Sequence, residues 1–456
     1  MKFTNLTRAE EIGANCYLLE AGGSRILLDA GMHPRAVGVR ATPDFSILGG
    51  AGFDAMVLTH AHQDHVGCLP LAMRQSPGAP VFMTEATAAI ADVMLHNSVN
   101  VMMRQREELS LPDYPMFTHR EVERLAEEWR LVDLGTRFDL SGGRGDAGAV
   151  TCELFDAGHI LGSTGVLIRA EGKRIFYTGD VNFEDQTLMR AAKFPEENID
   201  VLVMETTRGD GPVPAGFTRK SEEARFIGAL QAALDGGGPV LIPVFALGKT
   251  QELLALLHGA RKSGALHGGF GLYVGGLGAK ITAVTDKLRG RAPRSHGDLK
   301  LATCMTMEVV GGRDIAQLPV LPRTVYAISS GMMTENTLSN MLAPRILENP
   351  HAHCMFVGYS DPHSPSGHVR ASSEGDEVVL DSRRPPVKRR CRVDQFTLSA
   401  HATRDGLLDY ARKLQPRKIL LVHGDPLAVS WFARELARAC PQTEVVVPPP
   451  GQAVEL

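Results

Sequence analysis

The sequence predicts an α/β protein: a strand-rich first part, a parallel strand–helix part after it, and a short final strand–helix segment. Three observations carry this. Up to Glu205, short apolar runs end in turn residues, and several deliver a histidine or aspartate at their C-terminal ends. Beyond Glu205, strand-like runs alternate with helical stretches of about 10–15 residues, the pattern of a parallel sheet covered by helices. From about residue 395 the chain reads strand, helix, strand, helix once more. With 456 residues it is long enough for two or three domains. A hydrophobic share of 44% beside 22% charge excludes a disordered or fibrous chain.

Taken in order, residues 15–21 (NCYLLEA) and 24–31 (SRILLDAG) flank Gly22-Gly23, a natural hairpin connection. Residues 56–59 form the next strand and 80–84 (PVFMT) another, with a helix between them over 66–75. Apolar spacing and scarce Gly and Pro predict a helix over 87–108. Thr118 and Glu121 form a capping-box pattern that opens a further helix through REVERLAEEWR. After a Gly-rich loop at 141–148 come the strands VTCELFDAGH, TGVLIRAEG, KRIFYTGD and IDVLVME. Then TRKSEEARFIGALQAALDGG reads as a helix ending at glycines. PVLIPVFALGKTQELLALLHGARKSG reads as buried strand, turn and helix, and FGLYVGG, TVYAISSG and HCMFVGYS as further strands. The segment from FTLSAH to WFARELA is strand, helix, strand, helix, and 442–456 is one more strand, TEVVVP, plus a tail.

The chemistry concentrates in VLTHAHQDHVG. His60, His62, Asp64 and His65 follow the apolar run Ala55-Met56-Val57-Leu58 and place four ligand-type side chains within six residues. Imidazole and carboxylate suit zinc, iron or manganese. One tetrahedral ion needs only some of these groups, so the clustering predicts two adjacent ions completed by residues further along the chain. Two close ions suit activated water attacking a phosphodiester or another hydrolysable centre. His159 and Asp180, at the ends of two later strands, are further candidate ligands.

Bulk properties narrow the partners. The formal net charge of -4 carries no global positive field for nucleic acid. A local basic run, Arg383, Arg384, Lys388, Arg389, Arg390 and Arg392, reads equally as a solvated loop or a nucleic-acid-facing surface. Seven scattered cysteines without a CxxC pair suit a reducing, cytoplasmic compartment. The N-terminal residues lack the apolar core of a signal peptide, and no stretch is long and apolar enough to span a membrane.

Six segments together resemble the metallo-β-lactamase superfamily, and within it the β-CASP branch of RNA-processing type, the bacterial and archaeal relatives of the cleavage and polyadenylation endonuclease. They are THAHQDHVGCLP, DAGHILGS, FYTGD, VMETTRGD, FTLSAH and LVHGD, in the family's order from about residue 12 to 425. The resemblance implies an αβ/βα metallo-β-lactamase sandwich with an inserted parallel α/β β-CASP domain. The first part of the sandwich would span 1–205, the insert 206–394 and the completing part 395–456. It implies two zinc ions, one held by His60, His62 and His159 and the other by Asp64, His65 and His423, with Asp180 bridging.

The resemblance also implies a ribonuclease that hydrolyses phosphodiester bonds in single-stranded RNA through a two-zinc-activated hydroxide. It would cut internally, with exonuclease trimming as an added mode. His401 is the candidate general acid for the departing ribose oxygen, with Glu205 taking its other ring proton. Asp64 and Asp180 join them as catalytic candidates. His423 favours RNA over DNA by resemblance, and a homodimer is compatible with the family.

Asp29 reads as a structural residue orienting the metal-binding turn through backbone bonds, and Cys68 as packed beneath it. His363, His368, His96 and His119 read as ordinary loop or helix residues. Three segments depart from the family pattern: Thr403 where an aspartate is usual, GYSDPHSPSGHVR and YVGGLGA. They leave the metal site intact and alter the region expected to meet substrate. Two other readings compete. One is a small-ester, thioester or lactone hydrolase, against which the long insert and the Glu205–His401 pair argue. The other is a non-catalytic RNA-processing scaffold, against which the complete ligand set argues.

Overall fold

The computed structural model describes residues 1–141, 149–312 and 314–456. Most of the Gly-rich loop expected at 141–148 lies outside them. The chain divides into two compact units: Met1–Glu184, Ala191–Val213 and His401–Leu456 form one, Asp185–Arg190 and Pro214–Ala400 the other.

The first unit is built on two seven-stranded sheets. One runs in the order Ala453–Glu455, Lys2–Asn5, Tyr17–Ala21, Ser24–Leu28, Ala55–Val57, Val81–Met83, Trp129–Leu131. The other runs Glu444–Val446, Lys418–Val422, Val201–Glu205, Lys173–Tyr177, Thr164–Ala170, Thr151–Asp156, Arg137–Asp139. The two-residue period of a strand sorts its side chains between layers. Val201 and Val203 join Phe3, Tyr17, Leu28 and Val57 in the core between the sheets. Leu202 and Met204, one step out of phase, pack under the helices Arg404–Leu414 and Pro426–Ala439 with Leu407, Phe432 and Leu436. The result is an αβ/βα sandwich.

The second unit carries a six-stranded sheet in the order Glu308–Val310, Gly271–Gly275, Thr324–Ile328, Val240–Pro243, His353–Phe356, Arg392–Gln395, with every pairing parallel. Val240–Pro243 and Thr324–Ile328 are buried along their whole lengths, as continuous apolar runs in a doubly covered parallel sheet must be. In the altered segment YVGGLGA, a Cβ on Gly278 would stand 3.1 Å from Thr250, so glycine lets the helices Lys249–Ser263 and Gly276–Lys287 approach closely.

Most expected elements are present with trimmed ends. The Gly22-Gly23 hairpin forms, with Ala21 opposite Ser24 and both glycines at positive φ. The Thr118–Glu121 capping box forms as well. Four expectations need correction. The helix over 66–75 is two short turns, Gln63–Val66 and Leu69–Met73. The helix begun at Thr118 stops at Leu125, and Trp129–Leu131 is an edge strand against Val81–Met83. The tail ends in a strand, Ala453–Glu455, paired with Lys2–Asn5.

The fourth correction has the clearest physical cause. Residues 396–401 are not a strand. Phe396 and Leu398 are buried alternately, which imitates one, but side chains take the backbone groups that a ladder would use. Thr397 N–H donates to Glu222 Oε1, Lys249 Nζ donates to the Leu398 carbonyl, and Arg219 to the Ser399 carbonyl.

Candidate metal centre

Every strand of the first unit that ends near the site delivers a side chain to it. Ala55–Val57 leads into His60 and His62, and the short helix Gln63–Val66 carries Asp64 and His65. Thr151–Asp156 leads to His159, Lys173–Tyr177 to Asp180, Val201–Glu205 ends on Glu205, and Lys418–Val422 leads to His423. Function at the rim of a sheet follows from this geometry: buried strands fix the directions and short loops supply the polar atoms.

The residues converge as three groups, of which the first and third share Asp180. His60, His62, His159 and Asp180 bring ligand atoms within 4.8 Å of one another, as do Asp64, His65 and His423, and also Asp180, Glu205 and His401. In the first group His62 Nδ1 lies 3.2 Å from His60 Nε2 and 3.0 Å from His159 Nε2. Asp180 Oδ2 lies 3.4 Å from His60 Nε2 and 3.6 Å from His159 Nε2. In the second, His423 Nε2 is 3.3 Å from Asp64 Oδ2 and 3.4 Å from His65 Nε2. Asp180 Oδ1 is 3.2 Å from His65 Nε2. Asp180 therefore turns one oxygen toward each group. Nitrogens at 2.0–2.1 Å from a tetrahedral zinc stand roughly 3.3 Å apart, so these spacings fit an ion at each centre. Asp180 Oδ1 is buried yet accepts no hydrogen bond from the described residues, the mark of an atom reserved for another partner.

Asp29 organises the site from behind. Fully buried, it accepts Thr59 N–H at 2.8 Å, the Thr59 hydroxyl at 2.8 Å, the Tyr177 hydroxyl at 2.9 Å and His65 Nδ1–H at 2.8 Å. The Thr59 hydroxyl also meets His60 Nδ1 at 3.1 Å. With their Nδ1 atoms occupied, His60 and His65 both present Nε2 to the centres. Asp29 thus does more than the backbone role its sequence suggested. Thr59, Tyr177 and Thr207, whose hydroxyl lies 2.8 Å from His423 Nδ1, escaped sequence reasoning. Their only signal is adjacency to ligand motifs.

Electrostatics divide the histidines. Burial, with the neighbouring imidazoles, lowers His60 and His159 and pushes His62 down to about 3, so these three stay neutral and ready to bind an ion. Burial would also lower His65 and His401, but carboxylates outweigh it. Asp180 and Asp29 raise His65, and Glu205 and Asp180 raise His401. Burial opposes ionisation of Asp64 and Asp180 too, and the surrounding imidazoles overcome it, holding both below the usual carboxylate range. His401 Nδ1 lies 3.2 Å from Glu205 Oε2 and its Nε2 3.9 Å from Asp180 Oδ2. Asp64 and His401 keep side-chain exposures of 22% and 19%, so the centre is open to water.

Comparison with known proteins agrees with this arrangement. Residues 9–231 match the family described as "Metallo-beta-lactamase superfamily", and residues 386–448 match "Zn-dependent metallo-hydrolase RNA specificity domain". The chain belongs to the metallo-β-lactamase superfamily, in its β-CASP RNA-processing branch. Within that branch it is 27% identical over 99% of its length to cleavage and polyadenylation specificity factor subunit 3-I of Arabidopsis thaliana. It is 28% identical over 95% of its length to cleavage and polyadenylation specificity factor 73 of Drosophila melanogaster, and 26% over 93% to endoribonuclease YSH1 of Saccharomyces cerevisiae. It spans 63%, 61% and 54% of those relatives. A protein of unknown function from Enterococcus faecalis shares the fold, with a TM-score of 0.56 at 12% identity over 100% of this chain and 99% of that one.

Other candidates sit apart from the ligand groups. His96 Nδ1 and His119 Nδ1 lie 2.7 Å apart as a stacked pair, with Asp92 3.6 Å from His96 Nε2. His363 N–H donates to Asp361 Oδ1, and His368, on the short helix Pro365–Ala371, has Nδ1 3.5 Å from the Val379 carbonyl. In the basic run, Arg383 and Arg384 pair with Asp381, and Arg392 with Asp394. Cys68 is buried behind the first motif, and all seven cysteines are free. Among the described residues no helix is long and apolar enough to cross a membrane.

Proposed function

We propose that the chain is a zinc-dependent endoribonuclease acting on phosphodiester bonds of single-stranded RNA. One observation carries the reading: the Glu205–His401 pair meets the same carboxylate, Asp180, that turns one oxygen to His60 and the other to His65. Hydrolysis of a phosphodiester needs activated water on one side of phosphorus and a proton for the oxygen leaving on the other. Two ions in these groups would acidify water and neutralise charge on the phosphoryl oxygens.

The chain's own residues supply the rest. His60, His62 and His159 with Asp180 would hold one ion, and Asp64, His65 and His423 with Asp180 the other. Glu205 holds His401 at Nδ1 and raises its imidazolium fraction, leaving Nε2–H to protonate the departing ribose oxygen. Glu205 is itself fixed, because Oε1 accepts Val181 N–H at 2.8 Å. The RNA assignment is supported by the description of the 386–448 family and by the endoribonuclease named among the relatives.

The test is cleavage of an end-labelled single-stranded RNA and the matching DNA by zinc-loaded protein, beside His401→Ala with its metal content measured. Internal RNA products that fall by roughly 10²–10⁴-fold in the variant, while it keeps two ions, are expected. No cleavage of either polymer by fully loaded wild type would sink the proposal.

A further inference from the structure

Thr207 stands two residues after Glu205, and its hydroxyl spans His423: Oγ1 is 2.8 Å from the ring Nδ1 and 3.4 Å from the His423 carbonyl. The same ring nitrogen lies 3.4 Å from Asp180 Oδ1, the buried oxygen that accepts no hydrogen bond from the described residues. Nδ1 thus has two oxygens within reach, and the choice between them matters. If Nδ1–H pointed at Asp180, the carboxylate shared by both ligand groups would spend one oxygen on a proton. If it points at Thr207, that oxygen stays open and His423 Nε2 faces Asp64 and His65 with its lone pair.

The backbone adds a reason for this contact. His423 sits at φ 51, in the left-handed region that a non-glycine residue rarely adopts. It is held there by Thr206 N–H donating to the His423 carbonyl at 3.1 Å, and the Thr206 hydroxyl donating to the Val422 carbonyl at 3.0 Å. Thr207 completes the brace at the ring, so the strand that ends on Glu205 sets both the backbone and the imidazole of His423.

We propose that Thr207 is a positioning residue for the second ion: its hydroxyl accepts the hydrogen bond of His423 Nδ1–H and keeps that N–H off Asp180, leaving His423 Nε2 and Asp180 Oδ1 open to the same metal. This rests on the two-ion reading of the site. Thr207→Val keeps the β-branched shape and removes the hydroxyl, while Thr207→Ser keeps the hydroxyl and removes the methyl. Zinc binding by the full chain, measured in competition with a chromophoric chelator, gives the ions per chain and both affinities. The d–d absorption of cobalt-substituted protein reports the coordination of each ion.

The expected result is a second-ion affinity roughly 10–100-fold weaker in Thr207→Val, an unchanged first ion, and recovery in Thr207→Ser. The retained first ion shows that the variant is folded. Two ions bound as tightly in Thr207→Val as in wild type would overturn the role of Thr207 and leave the two-ion reading standing. Equal loss in the valine and serine variants, or of both ions together, would also overturn it, since packing rather than the hydroxyl would then be responsible. A wild-type chain that binds fewer than two ions would overturn both the role and the reading beneath it.

Discussion

His401 turns Nδ1 to Glu205 Oε2 at 3.2 Å. The pairing has a direct pH consequence for the proposed reaction. Burial lowers the His401 pKa, but Glu205 and Asp180 outweigh it and leave it above the ordinary histidine value. A general acid works while protonated, so activity falls as pH rises through that pKa. Glu205→Gln keeps an acceptor for Val181 N–H but removes the negative charge facing the imidazole. The His401 pKa then drops, the protonated fraction is lost earlier, and the basic limb of the kcat/KM profile moves to lower pH. Profiles of wild type and variant over pH 5–10 check this, and an unmoved or alkaline-shifted limb would contradict it.

Asp29 predicts a graded pair of variants. Four donors converge on its buried carboxylate, one of them the Nδ1–H that sets the direction of His65. Asp29→Asn preserves the shape but offers a single acceptor oxygen, so donors are left facing its NH2 group. A loss of about 3 kcal/mol or more in urea unfolding is expected, together with weaker binding of the ion that His65 would hold. Tyr177→Phe removes one donor and leaves His65 on Asp29. It should cost about 1.5–3 kcal/mol and spare ion affinity. Ion binding that falls equally in both variants would show that Asp29 acts through general packing rather than through the imidazole.

These two pairs show where the sequence was readable. His60, His62, Asp64 and His65 are legible because four ligand-type side chains sit on one turn and no long-range information is needed to group them. His423 lies 358 residues beyond His65, and Glu205 lies 196 before His401. Nothing local marks them, and only the ordered set of motifs brings them in. Threonines 59 and 207 and Tyr177 were missed because a hydroxyl on a histidine nitrogen leaves no pattern in the chain.

The same limit explains the strand errors. Ala453–Glu455 is three residues long, and its partner is the other end of the chain. Residues 396–399 alternate like a strand while Glu222, Lys249 and Arg219, on helices elsewhere in the second unit, claim their backbone. Periodicity records which face is buried, not which atoms satisfy the peptide groups.

The turn that carries His423 gives a last prediction. A Cβ on Gly424 would stand 2.0 Å from Thr206 Oγ1 and 3.0 Å from Thr206 Cβ, so the glycine is required by the close approach of this turn to the strand end. Gly424→Ala must push the turn away from Thr206, which is fully buried and has no room to yield. An overpacking cost of roughly 1–3 kcal/mol is expected, with a weaker second ion and an unchanged first, because His423 moves while His60, His62 and His159 do not. Thr206→Ala alone loses a hydrogen bond of about 1 kcal/mol but empties the position that the new methyl would strike. The double variant should therefore lose less than the sum of the two, by more than about 0.5 kcal/mol. Urea unfolding of all four proteins, with zinc titration of each, measures that coupling. Strict additivity would mean that the alanine methyl finds space elsewhere and that the Thr206 contact does not hold the turn in place.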